Sequence, residues 1–498
     1  MSGRGLRCLK CFRNIGSRFF LLLYIVAFSI VVVMVLFDMG VEKGIVALLF
    51  LPVLAGVIWG YKKADFSGRI PFPFLWWILF FSSLILIPVI AYSARVELTW
   101  DYGKLILQAA EFVSTGEIAD KSYLARYPNN QLWFCCLVVL FQGVRLVAPQ
   151  AGIIQFHMVS IAFSCLCIWL SILLIYLSAV CLWGKRGGAI TGIISLFCVP
   201  FYMYATFAYT DTSGMLIVAL MVFLFIRYRM CTEWKQYILA AGIGALAAFS
   251  WYLKLTTFIV FIAILIAMLL QGRRWRVTVF SLLAVVTFLA GGHYILECGI
   301  SSYIEISEEE YAQNRFPMSH WIMMSLDYGG YNQEDVEFTK SFPDYEEKNE
   351  ADKEEIARRL RERTLSENIW FFFHTKQMRT WSDSTFGGSG YLARNPQFPD
   401  GFFVNLLSET GRYHDSILIW TNLYYEILLV GMLLSAFLAW NKFLLRQRLF
   451  FGRVALLGIF VLMTIWECNA RYLVVFLPVL ILVAVDGYLG VISTKYKG

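Results

Sequence analysis

Apolar residues run in blocks of about twenty along most of this 498-residue chain, at 19–39, 44–61, 73–93, 129–148, 152–183, 188–207, 209–228, 237–253, 254–270, 277–297, 416–440, 450–466 and 470–491. At ~1.5 Å per residue, a helix of that length matches a hydrocarbon core of roughly 30 Å. The run 237–270 must be two helices, since one would be about 50 Å long, and Lys254 then falls at the turn between them. The short alternating segments of a membrane barrel are not found. The pattern predicts an all-α polytopic membrane protein, a bundle of about 12–13 transmembrane helices. Its expected parts are a membrane module over 1–297 that holds a first polar loop at 94–128, a large hydrophilic loop or cap over 298–415, and C-terminal membrane helices over 416–498. Within the cap, Tyr345 to Asn368 is dense in Glu, Lys and Arg and reads as a solvated helix.

Charge decides which side each loop faces. Only 15% of residues are charged against 59% hydrophobic, where soluble domains carry roughly 25% charged residues. The net +7 comes largely from short segments between spans, among them Arg4, Arg7, Lys10, Arg13 and Arg18, then Lys62, Lys63 and Arg69, then Arg273, Arg274 and Arg276. That distribution is the mark of cytosolic loops rather than of nucleic-acid binding. It predicts a multi-pass protein of the plasma membrane with a cytosolic N-terminus, read as an uncleaved signal-anchor. The loops 94–128, 208–211, 298–415 and 467–471, with Lys254, then lie on the extracytoplasmic face. Thirteen crossings would separate the two basic termini, so one segment does not cross once. The suspect is 129–148, which ends with Gln142 and Arg145 and is expected to be re-entrant or to lie along the interface; a turn midway through 152–183 is the alternative. Most of the 11 cysteines lie inside apolar spans and act as small hydrophobes, and the lone Cys8-x-x-Cys11 pair is weak ground for zinc.

Five polar groups converge on the extracytoplasmic face. They are Asp101 in the first loop; Arg126, Tyr127, Asn129 and Asn130 at its end; Asp211 in Tyr209-Thr210-Asp211; Lys254 in Lys254-Leu255-Thr256-Thr257; and Glu467 with Arg471 in the last loop. Ionisable groups against a membrane are costly and mark sites. Cations at that depth suit a lipid phosphate, and a carboxylate opposite can take the proton of an attacking hydroxyl. The reaction class this describes is glycosyl transfer from a polyprenyl-phosphate sugar to a cell-envelope acceptor. Each residue also has a structural reading. Lys254 can snorkel, Asp101 and Asp211 can cap helices, Tyr127-Pro128-Asn129-Asn130 can be a turn, and Glu467 and Arg471 can be a pair four residues apart on one helical face. His293, His320, His374 and His414 are too scattered to argue for a metal site, so no cofactor is assigned and a divalent ion has no support in the sequence.

At these residues the chain resembles the GT-C superfamily of membrane glycosyltransferases, in particular bacterial relatives of the protein O-mannosyltransferases. The likeness spans most of the chain. It consists of an acidic first outer loop, the Tyr-Pro-Asn-Asn opening of the next span, Tyr-Thr-Asp, the Lys-x-Thr turn and a terminal Glu…Arg-Tyr…Pro helix that ends at Pro478. His320-Trp321 and Trp381-Ser382-Asp383 look like elements of the large outer loop of that group. The resemblance implies a GT-C-like bundle, a polyprenyl-phosphate donor, Asp101 as the catalytic acid residue of the first loop, and Lys254 and Arg471 facing the phosphate. Asp211 is the second catalytic candidate and Arg126 a further phosphate ligand. Tyr127, Asn129, Asn130, His320 and Glu467 are candidates for holding substrate. Many relatives follow the first-loop Asp with Glu, whereas Tyr102 follows here and the nearest upstream acid is Glu97.

A lipid-linked glycan transporter or flippase is the alternative from another class. It would carry ionisable residues near mid-membrane on broken helices, while here the span interiors are almost free of charge. A diphosphate-dependent glycan ligase and a catalytically inert glycan-binding scaffold complete the alternatives.

Overall fold

A computed structural model describes residues 3–37, 71–232, 234–271 and 274–492, with the isolated positions 49, 52–53 and 55–56. The expected span 44–61, the basic residues Lys62, Lys63, Arg69, Arg273, Lys495 and Lys497, and the side chains of Arg4, Arg7, Cys8, Lys10 and Cys11 lie outside what is described. The protein is an all-α polytopic membrane protein. Among the described residues, nine helices are long and apolar enough to cross a bilayer, and Leu255–Gln271 and Phe450–Ile465 are shorter apolar helices.

The last span, Ala470–Val491, is the most enclosed, with 89% of its most apolar window buried, and Trp275–Tyr303 is the most peripheral, at 11%. The difference follows from packing: the final helix lies against His414–Asn441, Ile153–Leu196 and Thr210–Met230, while Trp275–Tyr303 packs mainly on Trp234–Leu253. Close approach in the centre relies on missing side chains, since a Cβ on Gly487 would sit 2.0 Å from the Gly431 carbonyl oxygen.

Two expected boundaries hold and one moves. The chain breaks at Lys254 between Trp234–Leu253 and Leu255–Gln271. Ile153–Leu196 is helical throughout except at Gly184, whose φ of 77° only glycine adopts without strain. The turn therefore falls after 183 and not midway through 152–183. The expected span 188–207 is shorter: it stops at Leu196, and Pro200 opens a separate six-residue helix, Val199–Tyr204.

Pro128–Val147 has the length and composition of a span, most of it the helix Gln131–Val147, yet both ends of that helix are tied to polar loop. It starts from Asn130, bonded into the Asp101 loop. At its far end Arg145 donates to the Val113 carbonyl (2.8 Å) and to Ser114 Oγ (2.8 Å). Those residues end the helix Trp100–Thr115, and the turn beyond them carries exposed Gly116 and Glu117 before Asp120, which pairs with Lys104 at 2.9 Å. A polar turn of this kind does not sit in hydrocarbon. Both ends of Gln131–Val147 are thus tied to the polar first loop, at Tyr123 and at Val113–Ser114. Its last residues, Leu146 and Val147, are almost fully exposed.

The region between Tyr303 and His414 is a set of short helices over the bundle. Tyr345–Glu362 is the charged helix, capped by Asp344, with Arg358 and Arg359 paired to Glu355. Trp381, fully buried, packs edge-on to Phe28 of the first span at 5.1 Å and anchors this cap to the membrane module.

Candidate functional site

Two adjoining clusters form where the first loop, the breaks between spans and the cap meet. In the first, Asp101 sits in the opening turn of Trp100–Thr115 but caps nothing. Its Oδ1 accepts from Tyr123 Oη (2.9 Å), Tyr123 accepts from Asn130 Nδ2 (2.8 Å), and Asn130 Oδ1 accepts from Tyr209 Oη (2.8 Å). Asn130 is 1% exposed, so the Tyr127-Pro128-Asn129-Asn130 turn places a buried bridge between two loops. Asn129 is exposed and donates to Asn130 Oδ1 at 3.3 Å. Among the described residues, the other oxygen of Asp101 takes no hydrogen bond. The carboxylate lines an open cavity of about 430 Å³ with Lys104, Tyr123, Arg126 and Tyr127, and with Leu98, Trp100 and Leu107 as its apolar part.

In the second cluster Asp211 is completely buried in the first turn of Thr210–Met230. One carboxylate oxygen accepts from Lys254 Nζ and the other from Arg471 Nε at 2.9 Å. Asp211 is therefore not a helix cap. Lys254 does not snorkel: it lies at the helix break, where Thr257 donates to its carbonyl from both N–H and Oγ1. Glu467 and Arg471 do not share a helical face, because 467–469 is irregular and a 3₁₀ turn starts at Ala470. Arg471 reaches back to Asp211 instead, and Glu467 accepts from Tyr472 Oη (3.1 Å). Two cations around one carboxylate leave the cluster one positive charge in excess. Glu467 itself is nine-tenths buried or more, and burial raises its carboxyl above the usual range against Tyr472, Arg471 and Arg379; the charge of Asp101 adds to the rise.

Trp100 joins the clusters. Its backbone has φ +43°, which a bulky side chain adopts only when its surroundings hold it there. Its ring packs against Tyr102, Phe207, Tyr209 and Tyr391 at 5.0–5.6 Å, and the Arg471 guanidinium lies 5.3 Å from its centre. Arg471 also covers Tyr209 and Tyr391 and donates to Tyr391 Oη (3.1 Å). The strained residue next to Asp101 is thus locked to the cation that holds Asp211.

Asp101, Arg126 and Tyr127 line the cavity, Asn130 joins them through Tyr123 with Asn129 beside it, and Asp211, Lys254, Arg471 and Glu467 belong to the second cluster. His320 does not join them: it is buried in the cap, where Nδ1 bonds Thr339 Oγ1 (2.7 Å) and burial pushes the imidazole down to about 3. Among the described residues no three His, Cys, Asp or Glu side chains are grouped to hold a metal. Trp100, Tyr123, Tyr209 and Tyr391 escape sequence reasoning as site residues. Tyr209 had a signal, since it stands beside Asp211, whereas nothing around Tyr391 sets it apart.

Residues 18–487 match the family described as conserved hypothetical integral membrane protein. No curated protein and no solved structure matches the chain.

Proposed function

Because the chain belongs to the family of conserved hypothetical integral membrane proteins, we propose from its own residues that it is a membrane glycosyltransferase of GT-C type. In this reading it moves a sugar from a polyprenyl-phosphate donor to a cell-envelope acceptor on the extracytoplasmic face of the plasma membrane. The observation that supports it most is the half-free Asp101 carboxylate, oriented by Tyr123 and open to a cavity between Lys104 and Arg126. The acceptor hydroxyl attacks the anomeric carbon as the bond to the phosphate oxygen breaks, and Asp101 takes the hydroxyl proton. The displacement inverts the anomeric centre and leaves polyprenyl phosphate in the bilayer. In this reading Arg126, on the cavity wall, and the net-positive Lys254–Asp211–Arg471 group beside it offset the charge on the leaving phosphate. Asp211, with both oxygens occupied, serves as the positioner of the two cations rather than as a second base. The order of the motifs shared with GT-C enzymes supports the same assignment.

The test is release of polyprenyl phosphate by purified protein given a panel of labelled polyprenyl-phosphate hexoses and a crude envelope acceptor. Wild type is expected to turn over one donor, and Asp101→Asn to lose roughly 10²–10⁴-fold, the usual size of a general-base contribution. Full turnover by the folded variant would remove Asp101 from the chemistry. Turnover only with diphosphate donors would replace this reading with the ligase.

A further inference from the structure

Beside the Asp101 cavity, aromatic faces from three separate elements line up. Tyr127 belongs to the wall of the cavity itself. Its ring lies 6.2 Å from Trp321 of the cap helix Met318–Ser325, and Trp321 lies 6.3 Å from Trp466, with ring planes only 24° apart. None of the three is fully buried, unlike Trp381 and Trp133, whose rings are spent on core packing. Next to Trp466, Glu467 is only 5% exposed, and Tyr472 bonds one oxygen of its carboxylate. Nearby, Arg379 lies over the Tyr328 ring (4.9 Å) and pairs with no carboxylate among the described residues.

Trp381, fully buried against Phe28, clamps the cap onto the bundle, whereas Tyr127, Trp321 and Trp466 touch one another with part of each ring still exposed. Half-open rings beside a carboxylate and an arginine offer a different chemistry. The C–H faces of a pyranose are apolar and slightly positive and stack on the negative face of an aromatic ring. Its hydroxyls need both acceptors and donors, which Glu467 and Arg379 provide. A hydroxy-amino-acid side chain needs no such platform. We propose that Tyr127, Trp321 and Trp466, with Glu467 and Arg379, form an acceptor subsite for a carbohydrate chain that leads to Asp101. This rests on the transferase reading and names its acceptor class as a saccharide rather than a peptide hydroxyl.

The test measures binding alone, without donor. Full-length protein in nanodiscs is titrated with cellohexaose, xylohexaose, chitohexaose, mannohexaose, maltohexaose and a Ser/Thr-rich peptide, followed by tryptophan fluorescence and native mass spectrometry. At least one hexasaccharide is expected to bind saturably. Trp321→Ala and Trp466→Ala should each weaken it by on the order of tenfold, the size of one aromatic contact, and Trp234→Ala, which removes an exposed ring remote from the subsite, should leave it unchanged. Hydrogen exchange over 318–325 checks that the cap stays folded in the two variants. No saccharide binding by wild type, or binding untouched in the Trp321→Ala/Trp466→Ala double variant, overturns the proposal, as does capture of the peptide in place of every saccharide. Saccharide binding in a protein that turns over no polyprenyl donor would overturn the transferase and leave the subsite standing.

Discussion

Asp352 and His320 meet on Thr339 inside the cap, where burial favours the neutral form of each. Thr339 donates to Asp352 Oδ1 (2.8 Å) and bonds His320 Nδ1 (2.7 Å), and Ser319 donates to Asp352 Oδ2 (3.2 Å). Burial lifts the Asp352 carboxyl to about 6, from about 3.9 in an unfolded chain. Its contribution to stability is complete below the unfolded value and is lost as pH rises through 6. Burial pushes His320 to about 3, from about 6.5 unfolded, so its contribution is complete above 6.5 and is lost as pH falls. Between about pH 4 and 6 the folded pair and the unfolded pair hold one proton each, and the two slopes cancel. Opening energies from hydrogen exchange over 318–362, corrected for intrinsic rates, should therefore carry no slope from this pair in that window, leaving the rise with pH that the Arg-paired Glu355 adds. His320→Asn should make the cap lose up to about 1.4 kcal/mol per pH unit as pH rises, and Asp352→Asn should reverse the sign. Slopes unchanged by either substitution would contradict the buried neutral pair. A second prediction concerns Asp211. Asp211→Asn leaves Lys254 and Arg471 buried without their counter-charge, and a loss of about 3–5 kcal/mol is expected in denaturant unfolding. The cost should fall in the Asp211→Asn/Lys254→Met double variant.

At the scale of elements, the start of Trp100–Thr115 depends on a close approach that tolerates no side chain. A Cβ on Gly103 would lie 2.1 Å from the Leu98 carbonyl carbon, which is backbone and cannot swing aside. Gly103→Ala is thus expected to displace the helix start with Asp101 on it and to abolish transfer. Exchange protection should drop over 97–110 and stay intact over 318–362; transfer at the wild-type rate would show that the turn is free to adapt. The same element shows what sequence could and could not give. Long apolar runs name spans because length and hydrophobicity act locally, and a Lys in the middle of such a run had to be a break. The basic pair Lys185 and Arg186 made the break between 183 and 188 legible, whereas Pro200, with its fixed φ and missing N–H, opens a separate short helix, so the reach of the span to 207 was overestimated. The partners of Arg471 were not legible. Helical spacing offered Glu467, four residues away, yet the chain leaves helical geometry at exactly that place and Asp211, 260 residues earlier, takes the cation. Nor does any local signal tell that Tyr123, Asn130 and Tyr209 form one chain of hydrogen bonds, because three separate loops have to meet first.

For the whole molecule, the placement of Gln131–Val147 decides the count of crossings. If it does not cross, the thirteen spans expected from the sequence become twelve, and an even number would return both basic termini to one side as the positive-inside rule asks. Arg145 supplies the reason: its bonds to Val113 and Ser114 hold the far end of this helix at the level of the polar turn that begins at Gly116. The prediction is made with single cysteines at Glu117 and Leu146 in a background whose native cysteines are replaced by alanine. A membrane-impermeant thiol reagent added to intact cells should label both positions from outside, and a cysteine at Lys185, beside the Gly184 break, only after the membrane is opened. Labelling of Glu117 and Leu146 from opposite sides would mean that the helix crosses, and the even count would then have to come from another segment. Arg145→Ala sharpens the outcome. If the tie to Val113 and Ser114 keeps this apolar helix out of the core, its loss should slow labelling at Leu146 as the end sinks toward lipid and leave Glu117 as reactive as before. That asymmetry would separate a helix held at the interface by one arginine from a span that happens to end near it.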